Sequence, residues 1–220
     1  MDIARNLSEV KRRIARAADK AGRSPDEITI IAVTKTIAIP AIEAAIDAGI
    51  EHFGENRVQE AEDKIVKLIA SGRRPIWHMI GHLQRNKVKT ALDIFDIIHS
   101  IDSLRLAQSV SAQANISVPV LLEVNIADEE TKSGFPAGGL PEAVAEISRL
   151  PNLSVKGLMT VAPFVSDAEE VRPVFRELRK LRDTLGLEHL SMGMSDDFEV
   201  AIEEGATMVR LGRIIFGERF

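Results

Sequence analysis

Val118-Pro119-Val120-Leu121-Leu122-Glu123-Val124-Asn125-Ile126 is a run in which Val120, Leu121 and Leu122 follow one another, so a strand made from it is apolar on both faces. Strands buried on both faces belong to parallel sheets covered by helices. Seven other short apolar runs, 28–33, 52–53, 76–80, 94–99, 155–161, 189–192 and 207–211, repeat the pattern at intervals. Between them lie stretches of helical period: 40–47 closed by Gly49, 58–70 closed by Gly72, 103–114, 140–149, 166–185 closed by Gly186, and 197–204 closed by Gly205. Ser166 and Glu169 have capping-box spacing, and Pro173 marks a first turn or a kink in the longest of these helices.

Strands alternating strictly with helices imply parallel pairing through crossovers. Eight units of about 24 residues fill the chain after its first helix, close to a minimal eight-stranded barrel. The fold expected is α/β, a single-domain (β/α)8 TIM barrel with an extra N-terminal helix, spanning residues 1–220 without a linker. A doubly wound open sheet is the alternative, and the chain lacks the glycine-rich strand-to-helix turn of its dinucleotide-binding form.

Composition narrows the function. The chain has 220 residues, 45% hydrophobic and 28% charged, as in ordinary globular proteins. Its net charge of −5 argues against a broad contact with nucleic acid or an anionic membrane, and no apolar run reaches the length of a membrane span. Cysteine is absent, which removes disulfides, thiolate metal sites and cysteine nucleophiles, and tyrosine is absent too. Ile3, Leu7, Val10, Ile14 and Ala17 form one apolar stripe at the N-terminus, with Lys11, Arg12, Arg13 and Arg16 on the rest of its surface. Transit peptides share that pattern but are poor in acid. Asp2, Glu9 and Asp19 therefore point to a first helix capped by Asp2 and ended near Gly22, and to a cytoplasmic protein.

In a barrel of this kind, chemistry collects where strands end. The first strand runs into Thr34-Lys35-Thr36, which places an amine at the barrel mouth, where partial loss of solvation favours a nucleophilic lysine able to form a Schiff base. A strand-end lysine that merely reaches to water is the alternative. The second strand ends in Gly54-Glu55-Asn56-Arg57. The third ends in a dense polar stretch from His78 to Lys87, whose His78 and His82 lack the helix and the glutamate of a zinc-protease motif. Arg85, Lys87 and Lys89 read as a solvated basic face. The seventh strand leads through Gly193, Met194 and Ser195 into a short helix, and the eighth ends in a second glycine turn at Gly212. Loops after strands seven and eight are the usual phosphate site of such barrels. Asp196 and Asp197 would repel a phosphate, so they are expected to cap the helix and point outward.

Ala32-Val33-Thr34-Lys35-Thr36, Gly54-Glu55-Asn56, the stretch 77–87, Gly157-Leu158-Met159-Thr160, residues 191–197 and residues 210–217 together resemble the pyridoxal phosphate homeostasis proteins, in order and across essentially the whole chain. The resemblance implies a barrel like the N-terminal domain of alanine racemase. It also implies that Lys35 holds pyridoxal 5′-phosphate as an internal aldimine, and that Ser195 and the backbone N–H groups of Gly212 and Arg213 bind its phosphate. Arg210 then faces the pyridine nitrogen and Asn56 lies near the ring. Many members carry Thr or Ser where this chain has Arg213. If that position gives only its N–H, nothing is lost, and a guanidinium there could pair with the phosphate instead.

A guanidinium beside the ring nitrogen favours the unprotonated ring, a poor electron sink. Racemases of this fold share that arginine but add a tyrosine base from a second domain, and this chain contains no tyrosine. The role implied is a carrier or buffer in vitamin B6 homeostasis, working without metal or robust catalysis, as a monomer that passes the cofactor to apoenzymes. Three rivals remain at this point. One is a lysine-dependent aldolase with His78 as its proton-transfer group. The others are a single-base racemase or decarboxylase and a pure interaction protein.

Overall fold

The computed structural model describes residues 2–127 and 133–217, and in it all eight expected strands pair in parallel around a closed barrel. They are β1 (Thr29–Val33), β2 (His52–Glu55), β3 (Ile76–Met79), β4 (Ile97–Ile101), β5 (Val118–Asn125), β6 (Leu153–Met159), β7 (His189–Ser191) and β8 (Met208–Leu211). Each strand pairs with the next, and β8 closes on β1 with Thr29 opposite Met208 and Ile31 opposite Arg210. A two-residue bridge, Phe135–Pro136, adds to the edge of β5 outside the ring.

The helices are α1 (Ile3–Lys20), α2 (Ile39–Asp47), α3 (Val58–Ala70), α4 (Val88–Ile94), α5 (Leu104–Gln113), α6 (Leu140–Ile147), α7 (Arg172–Leu185), α8 (Phe198–Glu203) and α9 (Arg213–Phe216). The stripe Ile3, Leu7, Val10, Ile14 and Ala17 of α1 is buried, with the Asp2 carboxylate accepting from the Arg5 N–H at 2.9 Å. Arg13 anchors this helix to α8 through both oxygens of Glu199, at 2.9 and 2.6 Å. Among the described residues no helix is long and apolar enough to cross a membrane.

Three expectations need correction. The stretch 166–185 is not one helix: a 3₁₀ turn at Ala168–Val171 precedes α7, and Pro173 occupies the first turn, where its missing N–H costs nothing. The capping box there is made by Asp167 and Glu170, one residue beyond the expected pair. The fourth apolar run, 94–99, straddles the end of α4 and the start of β4, so α4 was not separable as an element of its own.

The main core lies between barrel and helices, where Phe53 and Trp77 stack at 5.5 Å. The barrel interior is split. A small apolar cluster of Ile31, Leu121, Met159 and Met208 fills one part, and polar side chains from β2, β3, β4, β7 and β8 fill the other. Gly157 is what lets β6 lie close to β7, since a Cβ there would sit 2.1 Å from the His189 carbonyl oxygen. Gly157→Ala is expected to lower unfolding free energy by about 3 kcal/mol, the upper range for overpacking a rigid site. Urea denaturation checks this, and an unchanged midpoint would contradict the packing described.

Candidate functional site

The β1–α2 loop is held on both sides of Lys35. Before it, the Thr34 hydroxyl donates to Glu55 Oε1 at 2.7 Å, and after it the Thr36 N–H donates to Glu60 Oε1 at 2.5 Å. Thr36 has φ 63°, a left-handed conformation that a β-branched residue adopts only under constraint. Lys64 supplies much of that constraint from beneath: its ammonium donates to the Thr34 carbonyl at 2.6 Å, to Glu55 at 2.7 Å and to Glu60 at 2.8 Å. Burial pushes the Glu55 carboxyl up, against the pull of Lys64 and Thr34. Burial also opposes ionisation of Glu60, but hydrogen bonds from Lys64 and Thr36 outweigh it and hold that carboxyl down.

Lys35, Asn56, Ser195, Arg210, Gly212 and Arg213 all line one cleft of about 590 Å³ at the C-terminal end of the barrel. The sequence reading thus named six residues that the fold brings together from four strand ends. It did not name Val33, Ile80, Val161 and Met194, which supply the apolar walls, nor Lys64, whose spacing from Glu60 resembles an ordinary surface pair. Gly81 presses on the backbone of Asn56, where a Cβ would lie 2.4 Å from the carbonyl oxygen. The Asn56 Oδ1 is buried without a hydrogen-bond partner among the described residues.

Arg210 is buried to 5% exposure. Its Nη1 donates to the Ser191 carbonyl and hydroxyl, both at 2.7 Å, and its Nη2 to the Thr160 carbonyl at 2.8 Å. Burial pulls its pKa down to about 10, partly offset by Asp197 and Glu123, so it stays charged at neutral pH. A buried cation held by carbonyls and a hydroxyl favours an anionic or lone-pair-bearing ligand.

The acidic pair behaves differently from expectation. Asp196 lines the same cleft rather than pointing away from it, and it pairs with the Arg213 guanidinium, so that side chain is engaged within the protein. Asp197 is buried at the N-cap position of α8, but it makes no side-chain cap bond to the helix. Its carboxylate instead accepts from the Met194 N–H at 2.5 Å and folds the loop bearing Ser195. Gly193, at φ 90°, brings that loop onto α8, where a Cβ would meet the Ala201 Cβ at 2.6 Å. On the opposite loop, Arg213 and Ile214 open α9, and the first N–H groups of a helix have no partner inside it.

His78 does not reach the cleft. It lies fully buried in the barrel interior, 2.9 Å from His52 and 2.8 Å from His99, and His99 is 2.9 Å from the Ser191 hydroxyl. Burial holds His78 down to about 3 and also lowers His52 and His99, so these rings are neutral at pH 7. His82, the other histidine of that stretch, lies 3.0 Å from Asp102. Among the described residues no cluster of metal-ligating side chains occurs.

The family model described as alanine racemase, N-terminal domain, matches residues 5–219. A pyridoxal phosphate homeostasis protein from Aquifex aeolicus (strain VF5) is 44% identical over 228 residues, covering 100% of this chain and 99% of that one. The protein of the same name from Escherichia coli (strain K12) is 44% identical, covering 99% of this chain and 97% of that one. The solved structure of PipY from Synechococcus elongatus PCC7942 with PLP bound matches at TM-score 0.85 and 34% identity, covering 98% of this chain and 100% of that one. An alanine racemase from Clostridium difficile 630 shares the fold at TM-score 0.75 and 15% identity, and this chain covers 57% of its length.

Lys64→Met leaves Glu55 buried without its cation and is expected to destabilise the fold by about 3 kcal/mol, read from chemical denaturation. Acid should also destabilise it. The buried histidines refuse protons that the unfolded chain accepts, so their contribution is complete above about pH 6.5 and is lost as pH falls below it. Unfolding free energy should drop by about 1–3 kcal/mol between pH 7.5 and 5.5. Equal stability at the two pH values would show that these rings titrate normally in the folded protein.

Proposed function

Because the chain belongs to the pyridoxal phosphate homeostasis protein family, built on the alanine racemase N-terminal domain, we propose that it binds pyridoxal 5′-phosphate covalently and reversibly and serves as its carrier or buffer. The observation that carries this reading is one cleft combining the Lys35 amine, the buried Arg210 cation and two loops rich in N–H donors. Bound there, pyridoxal phosphate would supply a reactive aldehyde and a conjugated ring.

The parts fit that group. Lys35 offers the amine for reversible condensation, on a loop that Lys64 and Glu60 keep from wandering. The Ser195 hydroxyl and the N–H groups of Gly212 and Arg213 offer donors to a phosphate, beside a helix start that favours negative charge. Arg210 can only donate, so a ring nitrogen facing it keeps its lone pair and no proton. Asn56, with an unpartnered oxygen, would flank the ring. With its guanidinium paired to Asp196, Arg213 would hold the phosphate through its backbone N–H.

The aldolase reading loses its proton-transfer group, because His78 is sealed in the interior and neutral down to about pH 3. The two-base racemase reading lacks its tyrosine. Capture followed by delivery to apoenzymes is the role proposed for this cleft.

Lys35→Ala should abolish borohydride-trapped attachment of pyridoxal phosphate, read by mass mapping. Ser195→Ala should keep the attachment but weaken retention by about 1.5–3 kcal/mol, the worth of a hydrogen bond to a charged group. Equal retention in both variants and the unsubstituted protein would overturn the assignment.

A further inference from the structure

Two fully buried imidazoles, His78 and His99, with a half-buried third at His52, are an expensive filling for a barrel. Such interiors are ordinarily packed with valine, isoleucine and leucine, and a buried polar ring costs free energy unless every polar atom is matched. Here the matching runs in a single line. Arg210 Nη1 lies 2.7 Å from Ser191 Oγ, Ser191 Oγ 2.9 Å from His99 Nδ1, His99 Nε2 2.8 Å from His78 Nδ1, and His78 Nε2 2.9 Å from His52 Nδ1. The line crosses the barrel from the cleft to the first residue of β2, at the opposite end.

Its direction follows from the charge at its cleft end. A guanidinium can only donate, so the Ser191 oxygen accepts, and the hydroxyl proton has His99 Nδ1 as its acceptor. His99 is then protonated at Nε2 and donates to His78 Nδ1, and His78 is protonated at Nε2 and donates to His52 Nδ1. The reverse order would place two donors on Ser191 beside a cation and turn ring N–H groups toward that charge. Every lone pair in the line faces Arg210 instead. The charged groups nearby act at its ends: Glu123 and Asp197 on Arg210, and Glu51 and Asp96 on His52, while His189 faces His99.

We propose that Ser191, His99, His78 and His52 form a unidirectional hydrogen-bond relay that positions Arg210, occupying its inner N–H groups and leaving Nε–H and one Nη2–H for the ring of the ligand. The cofactor half of this proposal rests on the reading of the cleft as a pyridoxal phosphate site. The four are positioning residues: none lines the cleft, and each acts through Arg210. Three links from Arg210, His78 can be replaced without touching the cleft.

The protein without cofactor tests the relay by itself. ¹⁵N spectra of the imidazoles should show His78 and His99 as neutral Nε2–H tautomers at pH 6. An Nδ1–H tautomer or a charged ring at His78 or His99 would overturn the relay. Guanidinium proton exchange at Arg210 should accelerate about tenfold in Ser191→Ala and in His78→Leu, the factor expected for losing about 1.4 kcal/mol of hydrogen bonding. Unchanged exchange in both variants, with melting temperature retained, would likewise overturn it. With pyridoxal 5′-phosphate added, the visible band should be constant from pH 6 to 8.5 in the unsubstituted protein and should move with pH in both variants. A band equally constant in all three would overturn the positioning role. No band in any of them would instead overturn the cleft's assignment, leaving the spectra of the cofactor-free protein to decide the relay.

Discussion

The charge on Arg210 is the fixed point of this molecule. A guanidinium almost wholly removed from water, in hydrogen-bond contact with two carbonyls and a hydroxyl, has lost hydration that only its surroundings can replace. Glu123 and Asp197 offset part of the cost through space, and burial in turn makes both of those carboxyls harder to ionise. The interior beside the cation must therefore be neutral and must present lone pairs. Three histidines whose protonation is suppressed meet that demand, and the Arg210 charge itself helps suppress it at His99. On the cleft side the same charge leaves room for an electron-rich partner.

Closure of the barrel turns this local demand into a site. Pairing of β8 with β1 sets Arg210 opposite Ile31, so the lysine loop at the end of β1 and the glycine turn at the end of β8 open side by side. The Thr160 carbonyl at the end of β6 and Ser191 on β7 hold the guanidinium from the neighbouring strands. Lys64 does for Lys35 what Ser191 and Thr160 do for Arg210: a buried group on a rigid element holds the backbone or side chain of a functional residue. Both devices place the functional atoms on strand ends and limit how far the loops can wander.

Much of this was legible because the fold repeats. The helix 58–70 could be bounded to the residue from its 3.6-residue period and Gly72, and the eight apolar runs located every strand of the closed ring, though not the short Phe135–Pro136 pairing. Boundaries failed where one apolar run crossed two elements, as from Ile94 to His99, since periodicity cannot see a turn inside a continuous hydrophobic stretch. Strand β2 extends to Glu55 although the sequence suggested only 52–53, because a glycine and a glutamate carry no strand signal until Lys64 buries the glutamate. The six cleft residues were readable from strand ends and from the family resemblance. The interior line was not. Its histidines come from three strands, and the spacing between them encodes nothing until the barrel closes and turns alternate residues inward.

In the role proposed for this cleft, the Arg210 cation bears both on attraction of the ligand and on the chemistry open to its ring. A cofactor carrier must attract an anionic aldehyde without giving the attached ring the protonated nitrogen that drives carbanion chemistry. A carboxylate at the position of Arg210 would invite that proton and add negative charge near the phosphate loops. A guanidinium draws the anion and leaves the nitrogen unprotonated. In that proposal, retention rests on a reversible bond at Lys35 and on donors from two loops at strand ends. For the carrier proposed here, which has to surrender its ligand, a reversible hold is the useful property.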